Sequence, residues 1–191
     1  MIGLARGTVR LLPYQLKWKV FFAQEAALLR SRMGAAALRI EHIGSTAIEG
    51  MSAKPIIDLM VAVQSLNEAE VWIPTLEALG YEYRPDEAVA DRLFFAKGSH
   101  SRRTHHLSLA EPTSKFYAEK LLFRDYLRSR QEAFGEYLRM KQELALRHAE
   151  DRGSYTVGKK AFVERILVLA KEDANMGAAT EQRHAPDRRH E

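Results

Sequence analysis

The 191 residues are 46% hydrophobic and 28% charged, the make-up of a soluble globular domain with a real core. No apolar run approaches the roughly 20 residues of a membrane helix, and the N-terminus lacks the features of a secretory signal. Cysteine is absent, which excludes disulfides and thiolate zinc sites and fits a cytoplasmic location. The net charge is +4, unevenly spread. Residues 97–130 carry eight Lys/Arg against Glu111, Glu119 and Asp125. That excess points to an anionic ligand such as a phosphate, with a solvated basic face as the alternative. Nucleic acid is disfavoured, because no recognition-helix, zinc-finger or stacked-aromatic signature accompanies the charge.

In chain order, residues 14–33 follow Pro13 with an apolar stripe of Leu16, Val20, Ala23, Ala27 and Leu28, which predicts a helix closed by Gly34. Residues 36–43 and the Ile/Val-rich 55–63 predict strands, with Pro55 tolerated at the first position of the second. A helix over 67–80 is bounded by Asn67 and Gly80 and bent at Pro74. Strands follow at 81–84, 92–97 and 103–110, the last two forming an antiparallel pair around Lys97-Gly98-Ser99-His100-Ser101. Helical stripes run through 114–130, 131–151 and 154–172, the last with Ser154 as its N-cap. The expectation is one α/β (α+β) domain over 1–172, with a sheet core at about 36–110, helices at about 114–172 and a flexible tail at 173–191.

Side chains alternate along a strand. In 55–63, Ile57, Leu59, Val61 and Val63 share the core face, and Asp58, Met60 and Ala62 share the other. A carboxylate in the middle of an apolar strand costs several kcal/mol unless it meets a cation, a metal or donors. In 103–110, Thr104, His106 and Ser108 point away from Leu107 and Leu109, so His106 and Ser108 stand near Asp58 if the strands adjoin. Asp with imidazole suits a divalent transition metal, whereas Mg²⁺ prefers oxygen. Gly44-Ser45-Thr46 offers close backbone approach and two hydroxyls for phosphate oxygens, and Lys54 a charge. Lys120, Arg124 and Arg128 recur every four residues, as do Tyr155 and Lys159, forming either a phosphate clamp or a solvated face.

At "IEHIGSTAIEGMSAKPIIDLMVAV" the chain resembles the GrpB family of the nucleotidyltransferase superfamily. "LLPYQLKW", "RRTHHLSL", "LLFRDYLRSRQEAFGEYLRMKQELA" and "YTVGKKAFVERIL" carry the resemblance through residues 9–170. It implies a nucleotidyltransferase-like mixed sheet flanked by helices, with a helical C-terminal part. In working nucleotidyltransferases a Gly-Ser turn holds the triphosphate, and three carboxylates, two of them spaced D-x-D, hold two Mg²⁺. Gly44, Ser45 and Asp58 match that pattern. Met60 replaces the second acid, Ser108 replaces the second histidine of the family's His-x-His, and Ile48-Glu49 replaces Val-Pro.

The resulting expectation is a nucleotide or other phosphorylated small molecule in a cleft formed by Gly44, Ser45, Asp58 and His106, with a divalent metal (Mg or Mn). Nucleotidyl transfer to a small acceptor is the implied reaction. Asp58 and His106 are the candidate catalytic and metal-binding residues. Thr46, Lys54, Arg103, Arg124, Tyr155 and Lys159 complete the phosphate-binding set. A non-catalytic regulatory or interaction module, working with a protein partner or as a homodimer, is the alternative. A metal-dependent hydrolase ranks below both.

Overall fold

The computed structural model describes residues 2–87 and 91–183, without the side chains of Glu87 and 177–183. The strands are β1 (Arg39–Ile43), β2 (Ile57–Ala62), β3 (Tyr81–Tyr83), β4 (Leu93–Ser99) and β5 (Arg102–Ala110). They form one mixed sheet in the order β1-β2-β5-β4-β3. β2 and β5 run parallel, and every other neighbouring pair is antiparallel. The parallel register sets Asp58 directly beside His106 and Met60 beside Ser108. The expected pairing of the last two strands holds, with the turn confined to His100-Ser101.

The helices are α1 (Lys17–Met33), α2 (Leu66–Ala69), α3 (Ile73–Ala78), α4 (Lys115–Ser129), α5 (Gln131–Arg147), α6 (Arg152–Gly158) and α7 (Lys160–Arg183). One sheet face, bearing Ile57, Leu59, Val61, Phe95, Leu107 and Leu109, packs against Trp18, Leu29 and Met33 of α1 and Leu76 of α3. The buried stripe of α1 is therefore Trp18, Glu25, Leu29 and Met33. The expected stripe fails, since Leu16 and Val20 are exposed. Trp18 buries far more apolar surface than Leu16 would, so it sets the helix rotation.

The opposite face is divided. Met60, Ala62 and Ala110 are covered by Tyr117 and its neighbours on α4. Asp58, Phe94 and His106 remain under a cleft roofed by the C-terminal helices. Those helices have their own core, in which Leu127, Ala133, Tyr137 and Ile166 enclose Ile48 and Met51.

Several boundaries differ from expectation; α1 starts at Lys17, β1 at Arg39, and α5 ends at Arg147. The helix predicted over 67–80 breaks into α2, a 3-10 turn at Glu70–Trp72, and α3, with Pro74 in the first turn of α3. The helix predicted over 154–172 starts earlier, because Asp151, not Ser154, is the N-cap; its carboxylate accepts from the Ser154 N–H at 3.0 Å. It then breaks after Gly158, where a Cβ would collide with the Leu144 side chain. The tail expected to begin at 173 is helical as far as Arg183, and residues 184–191 lie outside the described residues.

Candidate active site

At the end of β1 the chain turns through Gly44, at φ 69° and ψ −174°, into a 3-10 turn at Ser45–Ala47. Only glycine occupies that backbone region readily. A second constraint acts on the same residue: a Cβ on Gly44 would sit on Oδ2 of Asp58. Gly44 thus gives the carboxylate its room. Asp58 Oδ1 accepts from Nδ1 of His106 at 3.0 Å. Burial pushes the Asp58 pKa up, but the His106 hydrogen bond and the positive charge around it, Lys54 included, outweigh it and hold it below the ordinary carboxylate range. An ionised Asp58 can only accept, so Nδ1 carries the proton of that bond, and Nε2 is the ring nitrogen that can act as a base.

Around this pair lies a cavity of about 640 Å³. That volume is within the range of small-molecule sites. Five lysines line it, and Lys160 is paired with Glu164; the other four rest on aromatic rings. Lys54 and Lys159 lie over the Tyr155 ring, 5.1 and 4.4 Å from its centre. Lys120 lies over Phe116 at 5.2 Å and Lys141 over Tyr137 at 5.1 Å. None of the four reaches a carboxylate at ion-pair distance among the described residues. Two acids of the lining, Glu119 and Glu164, are engaged by Lys171 and Lys160. Burial, then the charges of Arg152 and the other lysines, lowers these amines: Lys54 to about 8, Lys159 to about 7 and Lys141 well below its ordinary value. Lys120, open to water, is lowered by the protein crowded around it and by Arg92.

Nine of the ten residues expected from the sequence line this cavity: Gly44, Ser45, Thr46, Lys54, Asp58, His106, Arg124, Tyr155 and Lys159. The tenth does not. Arg103 is on the α1 side of β5, in line with Leu107 and Leu109, and its guanidinium is held by Glu82 and by the Gly98 carbonyl. Two of the nine are committed elsewhere. The Thr46 hydroxyl is buried against His42 Nε2 and the Ile56 carbonyl. Burial lowers the His42 pKa to about 4, so that ring stays neutral. Arg124 spans the Glu41 carboxylate at 2.8 Å and both Asp125 oxygens, so two acids already answer its charge.

Lys141, Arg92 and Arg152 were missing from the expected set, and spacing reads Lys120 with Arg124 and Arg128 as either a clamp or a solvated face. Lys141 left a signal in the sequence. It continues the buried stripe of α5 after Ala133 and Tyr137, where an apolar residue is the rule, and its Nζ donates to the Ser52 carbonyl at 2.5 Å.

The residues present do not fit a pair of divalent ions. Met60 is fully buried beneath α4 among Ile43, Ala62 and Tyr117, so the second acid of a D-x-D pair is replaced here by a core side chain. Ser108, beside it in register, is also buried and lies 3.4 Å from an Arg92 nitrogen. Among the described residues no group of three His, Asp or Glu converges on Asp58 or anywhere else.

The profile described as GrpB protein matches residues 8–168. Similar proteins include the UPF0157 protein YqkA of Bacillus subtilis, 35% identical over 85% of this chain and 47% of its own length. The Glutamate-rich protein GrpB of Alkalihalophilus pseudofirmus is 36% identical over 87% of this chain and 98% of its own. The crystal structure of the conserved protein GrpB from Enterococcus faecalis superposes with a TM-score of 0.80 at 31% identity, covering 86% of this chain and 99% of that one. The chain spans about half the length of the Bacillus relative. Taken together, the profile, the relatives and the shared fold make this chain a member of the GrpB family.

Proposed function

We propose that the cleft binds a nucleotide or another polyphosphorylated small molecule, and that it supports nucleotidyl transfer to a small acceptor. One observation carries the reading: four lysine amines without carboxylate partners converge on a cavity that also holds the Asp58–His106 pair. Lys54, Lys141 and Lys159 give up water against aromatic rings for contacts worth roughly 0.5–2 kcal/mol each, so an entering anion stabilises them. Phosphate oxygens suit it because each ammonium offers three donors. In the transfer step, Nε2 of His106 takes the acceptor hydroxyl proton while that oxygen bonds to the α-phosphorus. The bond from the α-phosphorus to the bridging oxygen breaks, and pyrophosphate leaves against the lysines. Asp58 holds the ring in the productive tautomer and stabilises its charged form.

Thermal shift against nucleotides and sugar phosphates at about a millimolar tests the binding step. A rise in melting temperature with at least one of them, lost in Lys54→Gln combined with Lys159→Gln, is the expected result. No rise with any would contradict it. Product assay with a bound nucleotide then separates transfer from the alternative of binding alone.

A further inference from the structure

Resting on that reading of the cleft, we infer that the lysine cluster takes the place of two divalent ions, so that the site holds a polyphosphate chain with no metal bound to Asp58. In two-metal transferases the ions neutralise the phosphates, and carboxylates hold the ions. Here the carboxylate set is reduced to Asp58, whose side chain is 35% exposed to the cleft. Position 60 is dry beneath α4. One Asp58 oxygen is bonded to His106, and the other lies against Gly44. The neutralising charge comes instead from side chains. Once a phosphate chain is bound and all four amines are protonated, Lys54, Lys120, Lys141 and Lys159 would together match the charge of two divalent ions, and none of them has a carboxylate ion-pair partner among the described residues.

The consequence distinguishes this site from a two-metal one. A Mg²⁺ chelated by the β- and γ-phosphates removes two of the negative charges that the lysines would answer. It also adds like charge to a cavity already dense in cations. Free polyphosphate is therefore the tighter ligand, and metal competes with the protein for it.

The test is calorimetric titration of the full-length chain with ATP and with inorganic tripolyphosphate, each in EDTA and in excess Mg²⁺ or Mn²⁺. The expected result is an apparent Kd in EDTA equal to or lower than that with metal. Lys54→Gln with Lys159→Gln then weakens binding roughly tenfold or more. The wild-type comparison does not depend on any variant folding. Binding that needs Mg²⁺ or Mn²⁺, and that disappears in Asp58→Asn, overturns the inference but leaves the cleft as the ligand site. Failure of both probes in both conditions overturns the inference and the proposed function together.

Discussion

Replacing Lys159 with methionine is expected to make the ligand-free protein more stable and to abolish its response to nucleotide. The amine is mostly buried, rests on Tyr155 and faces other cations. Burial first, and then the charge of Lys54, brings its pKa to about 7. An unfolded lysine binds its proton up to about pH 10.4. Between these values the unfolded chain holds the proton and the folded chain does not, so stability rises with pH across that window. Below about pH 7 both states are charged, and the folded state carries the whole cost. Lys54, at about 8, adds to the same slope from a narrower window.

Methionine keeps the packing and removes the charge. A gain of about 1–2 kcal/mol, or about 2–8 °C in melting temperature, is expected at pH 7 after discounting for solvent screening. The gain should shrink as pH is raised to about 9.5, because the wild type then recovers stability by losing its own protons. Thermal denaturation at several pH values measures both effects. A variant less stable than wild type at pH 7, or a gain independent of pH, would contradict the placement of this amine. Stability given up for a binding group is the usual pattern at functional sites.

Gly44→Ala is expected to be among the most damaging single-methyl changes in the chain. Its backbone lies in a region that alanine enters at a cost of about 1–3 kcal/mol. The new Cβ also lands on the Asp58 carboxylate, which must move off His106 or push the turn away. A total of about 2–4 kcal/mol is expected, read as a lower urea midpoint with an unchanged slope. Gly34→Ala is the control. That glycine also has a positive φ, of 55°, but nothing lies within 4 Å of its would-be Cβ. It should show the backbone cost alone and leave ligand binding intact. Equal losses in the two variants would mean that the Asp58 contact is unimportant.

The sheet and its charged centre were legible because strand alternation is a strict two-residue period. Ile57, Leu59 and Val61 declared one face of β2 and left Asp58 on the other, and the same rule on β5 exposed His106 beside it. Followed further, it would have removed Arg103 from the site, since that residue shares the parity of Leu107 and Leu109. Helix rotation was harder to read. In α1, Leu16 and Val20 formed a plausible stripe, and only packing shows that the larger Trp18 wins the interior. Spacing paired Lys159 with Tyr155 and Lys120 with Arg124, but it could not bring the pieces of the roof together. Lys54, Lys120, Lys141 and Lys159 come from a loop, α4, α5 and the α6–α7 junction, and long-range packing alone brings them together. Met60 changes meaning in the same way. In the sequence it is a missing acid; in the fold it is a fully buried core residue packed under α4 with Ile43, Ala62 and Tyr117.

The most direct test is a crystal structure of the full-length protein with a non-hydrolysable nucleoside triphosphate soaked in. The phosphates are predicted to lie within hydrogen-bond distance of the Lys54 and Lys159 amines, with the α-phosphorus on the side of His106. A triphosphate bound elsewhere, or seated in the cleft with its phosphates turned away from those lysines, would contradict the account.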